Sequence, residues 1–135
     1  MKTKLLTICL LLVTSQVFAE DNYNWKKIDV TLDGDYIYYG DIDSISKNES
    51  GNYNVWILEN DKVKKQSTLI RTEINCRLHR KRWIHVEQYE YINAKGKKIG
   101  TFDFESLNKN EFSIWVTPKP NTISDSQVKF VCEKI

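Results

Sequence analysis

The chain has 135 residues, of which 28% are charged, and its formal net charge is +2. Lys2 and Lys4, near the amino terminus, account for that excess, so the remainder is neutral and lacks the basic surplus of a nucleic-acid-binding protein. The length fits one domain, and no repeat or low-complexity linker divides it.

The first nineteen residues have the three-part pattern of a secretory signal peptide. Two lysines precede an apolar run over 5–13, and Val17 and Ala19 are small residues at the positions that a signal peptidase requires. The run is shorter than the roughly 20 residues of a membrane-spanning helix. A buried core helix is the alternative, but it would not need this flanking pattern. We predict cleavage before Glu20 and a mature domain over 20–135 without a transmembrane segment, located in the periplasm, on the cell surface or outside the cell.

An alternation of apolar and polar residues then predicts a series of antiparallel strands. The clearest stretch is 68–79, in which Ile70, Ile74 and Cys76 share one face. Further strands are expected at 35–39, 52–59, 83–92 and 98–104, with a shorter apolar segment at 112–117. Turns are expected at 33–34, 48–51, 59–62 and 93–96.

After Thr122 the apolar spacing becomes helical. Ser124 is a candidate N-cap, and Val128, Val131 and Ile135 follow at helical intervals, so we predict one helix over 125–133. The predicted fold class is therefore α+β, a small antiparallel sheet of about six strands with a C-terminal helix.

Two cysteines remain after removal of the leader, Cys76 and Cys132. A single pair in an oxidising compartment predicts a disulfide, which would tie the helix to the sheet. Zinc ligation is the weaker alternative, because neither residue has a second cysteine nearby. Cys9 lies in the leader after Ile8 rather than after a small residue, so a lipid anchor there is not expected.

The residues that could carry catalysis form no recognisable site. The two histidines, His79 and His85, are expected to face outward, and no serine lies in a nucleophile motif. The acidic residues over 33–43 lack the spacing of a calcium loop and are better explained as turn-forming residues. The sequence predicts neither an enzyme nor a metal or cofactor site.

The most distinctive charged segment runs from Arg77 to Arg82 and is followed by Trp83. One interpretation is a solvated strand end. The other is a surface that binds an acidic protein or a sulfated glycan, because arginine pairs bidentately with carboxylate and sulfate groups. The residues of this candidate binding surface are Arg77, Arg80, Lys81, Arg82, Trp83, Tyr89 and Tyr91.

The order of these segments resembles the surface-adhesin protein E family. The resemblance is carried by ordered short motifs along nearly the whole mature chain: Trp25, Asp33-Gly34, Tyr38-Tyr39, Asp41, Ser44-Ile45, Gly51, Val55-Trp56-Ile57-Leu58, Asn75-Cys76-Arg77, Tyr89-Glu90-Tyr91, Trp115, Pro118 and Cys132. It implies a small antiparallel sheet with a helix held by one disulfide. It also implies a non-enzymatic role in adhesion to host extracellular-matrix proteins.

Two further functional classes compete with adhesion. A periplasmic inhibitor, for example of lysozyme, would also be small, disulfide-bonded and rich in strands, but it should carry a loop that enters an active-site cleft. A periplasmic protein with a structural role is the other alternative.

Overall fold

The computed structural model describes residues 22–105 and 114–135. Seven strands and one α-helix follow in chain order: β1 (Trp25–Val30), β2 (Tyr36–Asp41), β3 (Ser46–Lys47), β4 (Tyr53–Asp61), β5 (Gln66–Asn75), β6 (Arg80–Tyr91), β7 (Lys95–Asp103) and α1 (Ile123–Cys132). The predicted α+β class, with an antiparallel sheet and a C-terminal helix, is confirmed. The predicted signal peptide lies outside the described residues.

The sheet has the order β1-β2-β4-β5-β6-β7, and the two-residue strand β3 pairs with the start of β4. All pairings are antiparallel, and the longest registers join β4 to β5 and β5 to β6. Tight turns make this possible. Gly34 has φ +78° between β1 and β2, a backbone conformation that glycine adopts without steric cost. At the β4–β5 turn, Asp61 Oδ1 accepts hydrogen bonds from the backbone N–H groups of Val63 and Lys64 at 3.0 and 2.9 Å.

The helix packs on one face of the central strands. Val55, Ile57 and Ile74 from the sheet meet Val128 and Val131 from α1, and all five are almost completely buried. Full burial of a side chain of this size stabilises the folded state by about 1.5–3 kcal/mol.

The opposite face has its own buried residues and is partly closed by the edges of the sheet. Leu58 and Leu69 form a cross-strand pair on this face and are both 1% exposed. Trp25 of β1, the first strand in the sheet order, and Lys95 of β7, the last, line the same cleft. The sheet is therefore strongly curved around this second face.

The disulfide joins the end of the central sheet to the end of the helix. Cys76 and Cys132 are bonded, with their Cα atoms 5.6 Å apart and a sequence separation of 56. The predicted pairing is confirmed, and it fixes the last turn of α1 beside the β5–β6 turn.

Several boundaries differ from the sequence expectations for physical reasons. The β4–β5 turn occupies 62–65 rather than 59–62, because Asn60 and Asp61 are buried in β4. The N-cap of α1 is Thr122 rather than Ser124, since its side chain accepts the backbone N–H of Asp125. Strand β5 ends at Asn75 and has buried residues on both faces, not one. Strands β1 and β3 were not predicted from the alternation.

Candidate functional site

The basic segment begins in the turn that joins β5 to β6. Arg77 is exposed there and makes no hydrogen bond or ion pair with other residues of the described ranges. His79 has φ +49°, an uncommon conformation outside glycine, and its Nε2 lies 2.7 Å from Asp125 Oδ1. The side chain of His79 is 42% exposed, in line with the expectation that it faces outward, but it is also bonded to the first turn of α1.

Arg80 and Arg82 project from the same face of β6 and stack on Trp115. Their guanidinium carbons lie 4.6 and 4.8 Å from the Trp115 ring centroid, within the range of a cation–π contact. Arg82 also donates two hydrogen bonds to Glu73 Oε1, from Nη2 at 2.8 Å and from Nε at 3.1 Å. Glu73 is buried, so its negative charge needs a positively charged partner, and Arg82 supplies it. Arg82 is therefore already engaged within the fold.

Lys81 projects from the other face of β6 and is only 7% exposed. Its ammonium group donates to the side-chain oxygen of Gln127, a buried residue of α1. Burial lowers the pKa of Lys81 to about 8, and the attraction of Glu59 offsets only part of that effect. The predicted basic surface is thus divided between the two faces of the sheet.

Residues 114–116 extend the sheet next to the first half of β6. The backbone groups of Lys81 and Val116 form two hydrogen bonds, of 3.0 and 2.8 Å. This pairing places Trp115 on the face of Arg80 and Arg82. Ile114 and Val116 line the opposite side.

An apolar groove lies on the helix-bearing side of this junction. Trp83, Phe104, Ile114 and Val116 line it together with Lys81 and Ser124, and its volume is about 270 Å³. Trp83 is 47% exposed and Ile114 is 73% exposed. The ring of Phe104 contacts Trp83 at a centroid distance of 6.4 Å and Phe102 at 4.5 Å. We call Trp83, Phe102, Phe104, Ile114 and Val116 the aromatic patch.

The other two predicted residues lie at the far end of β6. The Tyr89 hydroxyl donates to Glu87 Oε2 at 2.6 Å, and Lys98 Nζ lies 2.9 Å from Glu87 Oε1. Burial alone would raise the pKa of Glu87, but hydrogen bonds from Lys98, Tyr89 and His85 lower it on balance. Tyr91 is exposed beside Gly96. The structure therefore separates Tyr89 and Tyr91 from the basic segment.

The acidic residues near the β1–β2 turn perform turn chemistry, as predicted. Asp33 Oδ1 accepts hydrogen bonds from the Thr31 hydroxyl at 2.6 Å and from the Asp35 N–H at 3.0 Å. These bonds lower the pKa of Asp33. Asp41 accepts the N–H groups of Asn24 and Asp43 in the same manner. Across residues 22–105 and 114–135, no group of three or more His, Cys, Asp or Glu side chains has the arrangement of a metal site.

Sequence reasoning missed most of the aromatic patch. Phe102 pairs with Val86 in register, which places it on the same face as Ile70 and the helix-facing core. Phe102 and Phe104, two positions apart at and just after the end of β7, were the available signal. The contribution of Ile114 and Val116 depends on contacts with β6 that no local pattern reveals.

No helix among the described residues is both long enough and apolar enough to cross a membrane.

None of the curated proteins matches the chain significantly. Among solved structures, Haemophilus influenzae protein E, in its crystal form II, has a similar fold, with a TM-score of 0.58 and 13% sequence identity. The similarity covers 80% of this chain and 87% of that one. The family model for surface-adhesin protein E matches residues 25–133. With that match over most of its length, the chain belongs to the surface-adhesin protein E family.

Proposed function

We propose that this protein is an exported, non-enzymatic adhesin that binds a host extracellular-matrix protein through the aromatic patch. The observation that carries the proposal is the continuous exposure of aromatic and aliphatic side chains on β6, β7 and residues 114–116. Exposed apolar clusters of this kind commonly mark protein interaction sites. Family membership supports the general role of adhesion.

The exposed groups of β6 and of the turn before it favour a protein partner with acidic residues. Trp83 supplies a large, half-exposed ring, and tryptophan is among the residues that most often dominate binding energy. Arg77 is exposed in the β5–β6 turn, before the strand that carries Trp83. An exposed arginine increases the association rate with an acidic partner more than it increases the final affinity.

The test is surface plasmon resonance of the mature protein against immobilised matrix glycoproteins and, separately, heparin. We expect Trp83→Ser and Phe102→Ser to weaken binding to a matrix glycoprotein about tenfold or more, mainly through faster dissociation. Leu32→Ser, which removes an exposed apolar side chain from the β1–β2 turn, is the matched control and should bind normally.

Arg77→Ala separates the charge contribution from the apolar contribution. We expect Arg77→Ala to associate more slowly than the unmodified protein at low salt. The two association rates should differ less at high salt, because screening weakens interactions between exposed charges. The proposal would be contradicted if the protein bound heparin but no matrix glycoprotein, and if Trp83→Ser left the binding to heparin unchanged. That result would favour a sulfated glycan as the partner.

Export is the second part of the proposal. Protein from the native host should begin at Glu20 and carry no lipid, which an intact-mass measurement determines. A mass corresponding to an acylated Cys9 terminus would contradict it. Protease treatment of intact cells would then show whether the domain is exposed on the surface.

A further inference from the structure

A second cleft lies on the sheet face opposite α1, where the curved sheet brings its two edges together. Tyr23 and Trp25 line it from one side, and Tyr89 with the turn 93–96 lines it from the other. Its volume is about 680 Å³, more than twice that of the groove beside Trp83.

One wall of the cleft is a stacked aromatic pair. The ring centroids of Tyr23 and Trp25 lie 4.7 Å apart, with an angle of 27° between the planes. Trp25 is fixed by its position in β1, opposite Asp41 of β2. Tyr89 contributes a third ring from the opposite wall, held by its hydrogen bond to Glu87.

The opposing turn is held in an unusual backbone conformation. Asn93 and Ala94 have φ values of +62° and +54°, in the left-handed region that is unfavourable for most residues other than glycine. A residue in this region requires compensation from its surroundings, and here two buried side chains supply it.

Asn60 and Ser67 provide that support from the central strands. Asn60 Oδ1 accepts the N–H of Asn93 at 2.8 Å, and its Nδ2 donates to Asn93 Oδ1 at 2.7 Å. Ser67 Oγ accepts the N–H of Ala94 at 2.9 Å and donates to the carbonyl of Tyr91 at 2.5 Å. Because both residues are buried, the turn is positioned before any ligand arrives, which reduces the entropy lost on binding.

The chemistry of the lining combines aromatic faces with a polar rim. Asn22, Asn93 and Lys95 surround the rings, and Lys95 is the charged residue of the lining. With Asn93 Oδ1 engaged by Asn60, its side-chain amino group is the donor that remains for a ligand. Lys95 adds a positive charge that can pair with a carboxylate.

A pyranose sugar matches this arrangement better than a wholly apolar ligand does. Its C–H face can stack on an aromatic ring, while its hydroxyl groups require donors and acceptors around the rim. An acidic sugar would in addition pair with the Lys95 ammonium group. We propose that the cleft between β1 and the β6–β7 turn is a binding site for an acidic saccharide. This inference does not rest on the aromatic patch or on its partner.

The experiment is an NMR titration of the mature protein with 3′-sialyllactose, and with lactose as the neutral probe. We expect 3′-sialyllactose to cause saturable shifts of the Trp25 indole N–H while the Trp83 indole N–H does not move. Trp25→Ala should weaken binding about tenfold or more. Lys95→Gln, at the exposed first position of β7, should reduce the affinity for 3′-sialyllactose to that for lactose.

The control is Trp83→Ala, which should bind both sugars as the unmodified protein does. The absence of saturable shifts with 3′-sialyllactose would overturn the proposal. Equal binding of lactose and 3′-sialyllactose, or full binding by Lys95→Gln, would overturn the assignment of an acidic saccharide. If Trp25→Ala does not fold, Lys95→Gln decides the question, since its substitution removes no buried contact.

Discussion

Asp125 of α1 connects the helix to the β5–β6 turn through His79, whose Nε2 lies 2.7 Å from Asp125 Oδ1. The same carboxylate is 2.9 Å from Lys129 Nζ and accepts the backbone N–H of Asn121 at 3.0 Å. Three partners therefore meet one buried acidic residue in the first turn of a helix, where a negative charge is also favoured by the helix dipole. Together with the disulfide at the other end of α1, this contact fixes the helix on the sheet.

We predict that Asp125→Asn lowers stability at neutral pH and that this effect becomes smaller as the pH falls toward 2. Hydrogen bonds from Lys129 and His79 lower the pKa of Asp125 from 3.8 to about 2. A carboxyl group with a lower pKa in the folded state stabilises the fold above pH 3.8, and that stabilisation is lost as the pH falls toward 2.

Urea unfolding of both proteins at pH 6 and near pH 2 tests this prediction. The difference in unfolding free energy should narrow at the lower pH. A difference of the same size at both values would show that Asp125 acts through packing rather than through its charge.

The disulfide should contribute substantially to stability. The chain-entropy model gives about 4 kcal/mol for a loop of this length. The double variant Cys76→Ser with Cys132→Ser should therefore unfold at a lower denaturant concentration, with α1 as the element that loses most protection. Hydrogen exchange measured along α1 locates the effect.

Labelling of free thiols provides the control for this prediction. The native mature protein should incorporate no label without reductant. Two labelled thiols per mature chain in native protein would contradict the prediction, as would equal stability of the double variant and the unmodified protein.

Local features of this protein could be predicted from its sequence more accurately than long-range contacts. The alternation over β5 and the helical spacing of Val128 and Val131 predict elements correctly, because each reflects burial along one segment. The basic segment was harder, since His79 and Lys81 bond to residues 46 positions away. Its charges look solvated in sequence, and only the docking of α1 reveals their partners.

Strand β1 shows a second limit. Lys26 and Lys27 are adjacent and exposed, and the pairing with β2 shifts register between Lys27 and Asp29. A bulge removes the strict period of two on which a strand prediction depends. The cleft formed by β1 and the β6–β7 turn could not be predicted for the same reason, together with the curvature of the sheet.

Lys81 should make stability depend on pH in the alkaline range. Its pKa is 10.5 in the unfolded chain and about 8 in the folded protein, because burial disfavours the charged form. Between these values the unfolded state binds more protons, so this residue contributes stability that increases as the pH rises from 8 toward 10.

Lys81→Met, which keeps the length of the side chain, should remove this increase. Denaturant unfolding at pH 7 and pH 9.5 measures it: the unmodified protein should gain stability relative to Lys81→Met at the higher pH. A constant difference between the two proteins would mean that Lys81 reaches solvent when charged.

Gly40 should tolerate no side chain because Phe130 of α1 lies directly over it. A Cβ atom built on Gly40 would lie 2.3 Å from Cε1 and 2.7 Å from Cζ of the Phe130 ring, well inside contact distance. We expect Gly40→Ala to destabilise the protein by about 1–3 kcal/mol, the usual effect of overpacking. Gly100→Ala is the matched control, since its Cβ would meet Gln88 at 3.5 Å, an ordinary contact.

A second substitution, Phe130→Leu, tests whether contact with the Phe130 ring causes the destabilisation by Gly40→Ala. Phe130→Leu removes Cε1 and Cζ, the two atoms nearest to that Cβ, so Gly40→Ala should cost less stability in the Phe130→Leu background than in the unmodified protein. Denaturant unfolding of the four proteins in this cycle gives the coupling between the two positions. Equal effects of Gly40→Ala in both backgrounds would show that the helix does not press on β2 at this point, and that the close approach of Phe130 to Gly40 is not what fixes the position of α1.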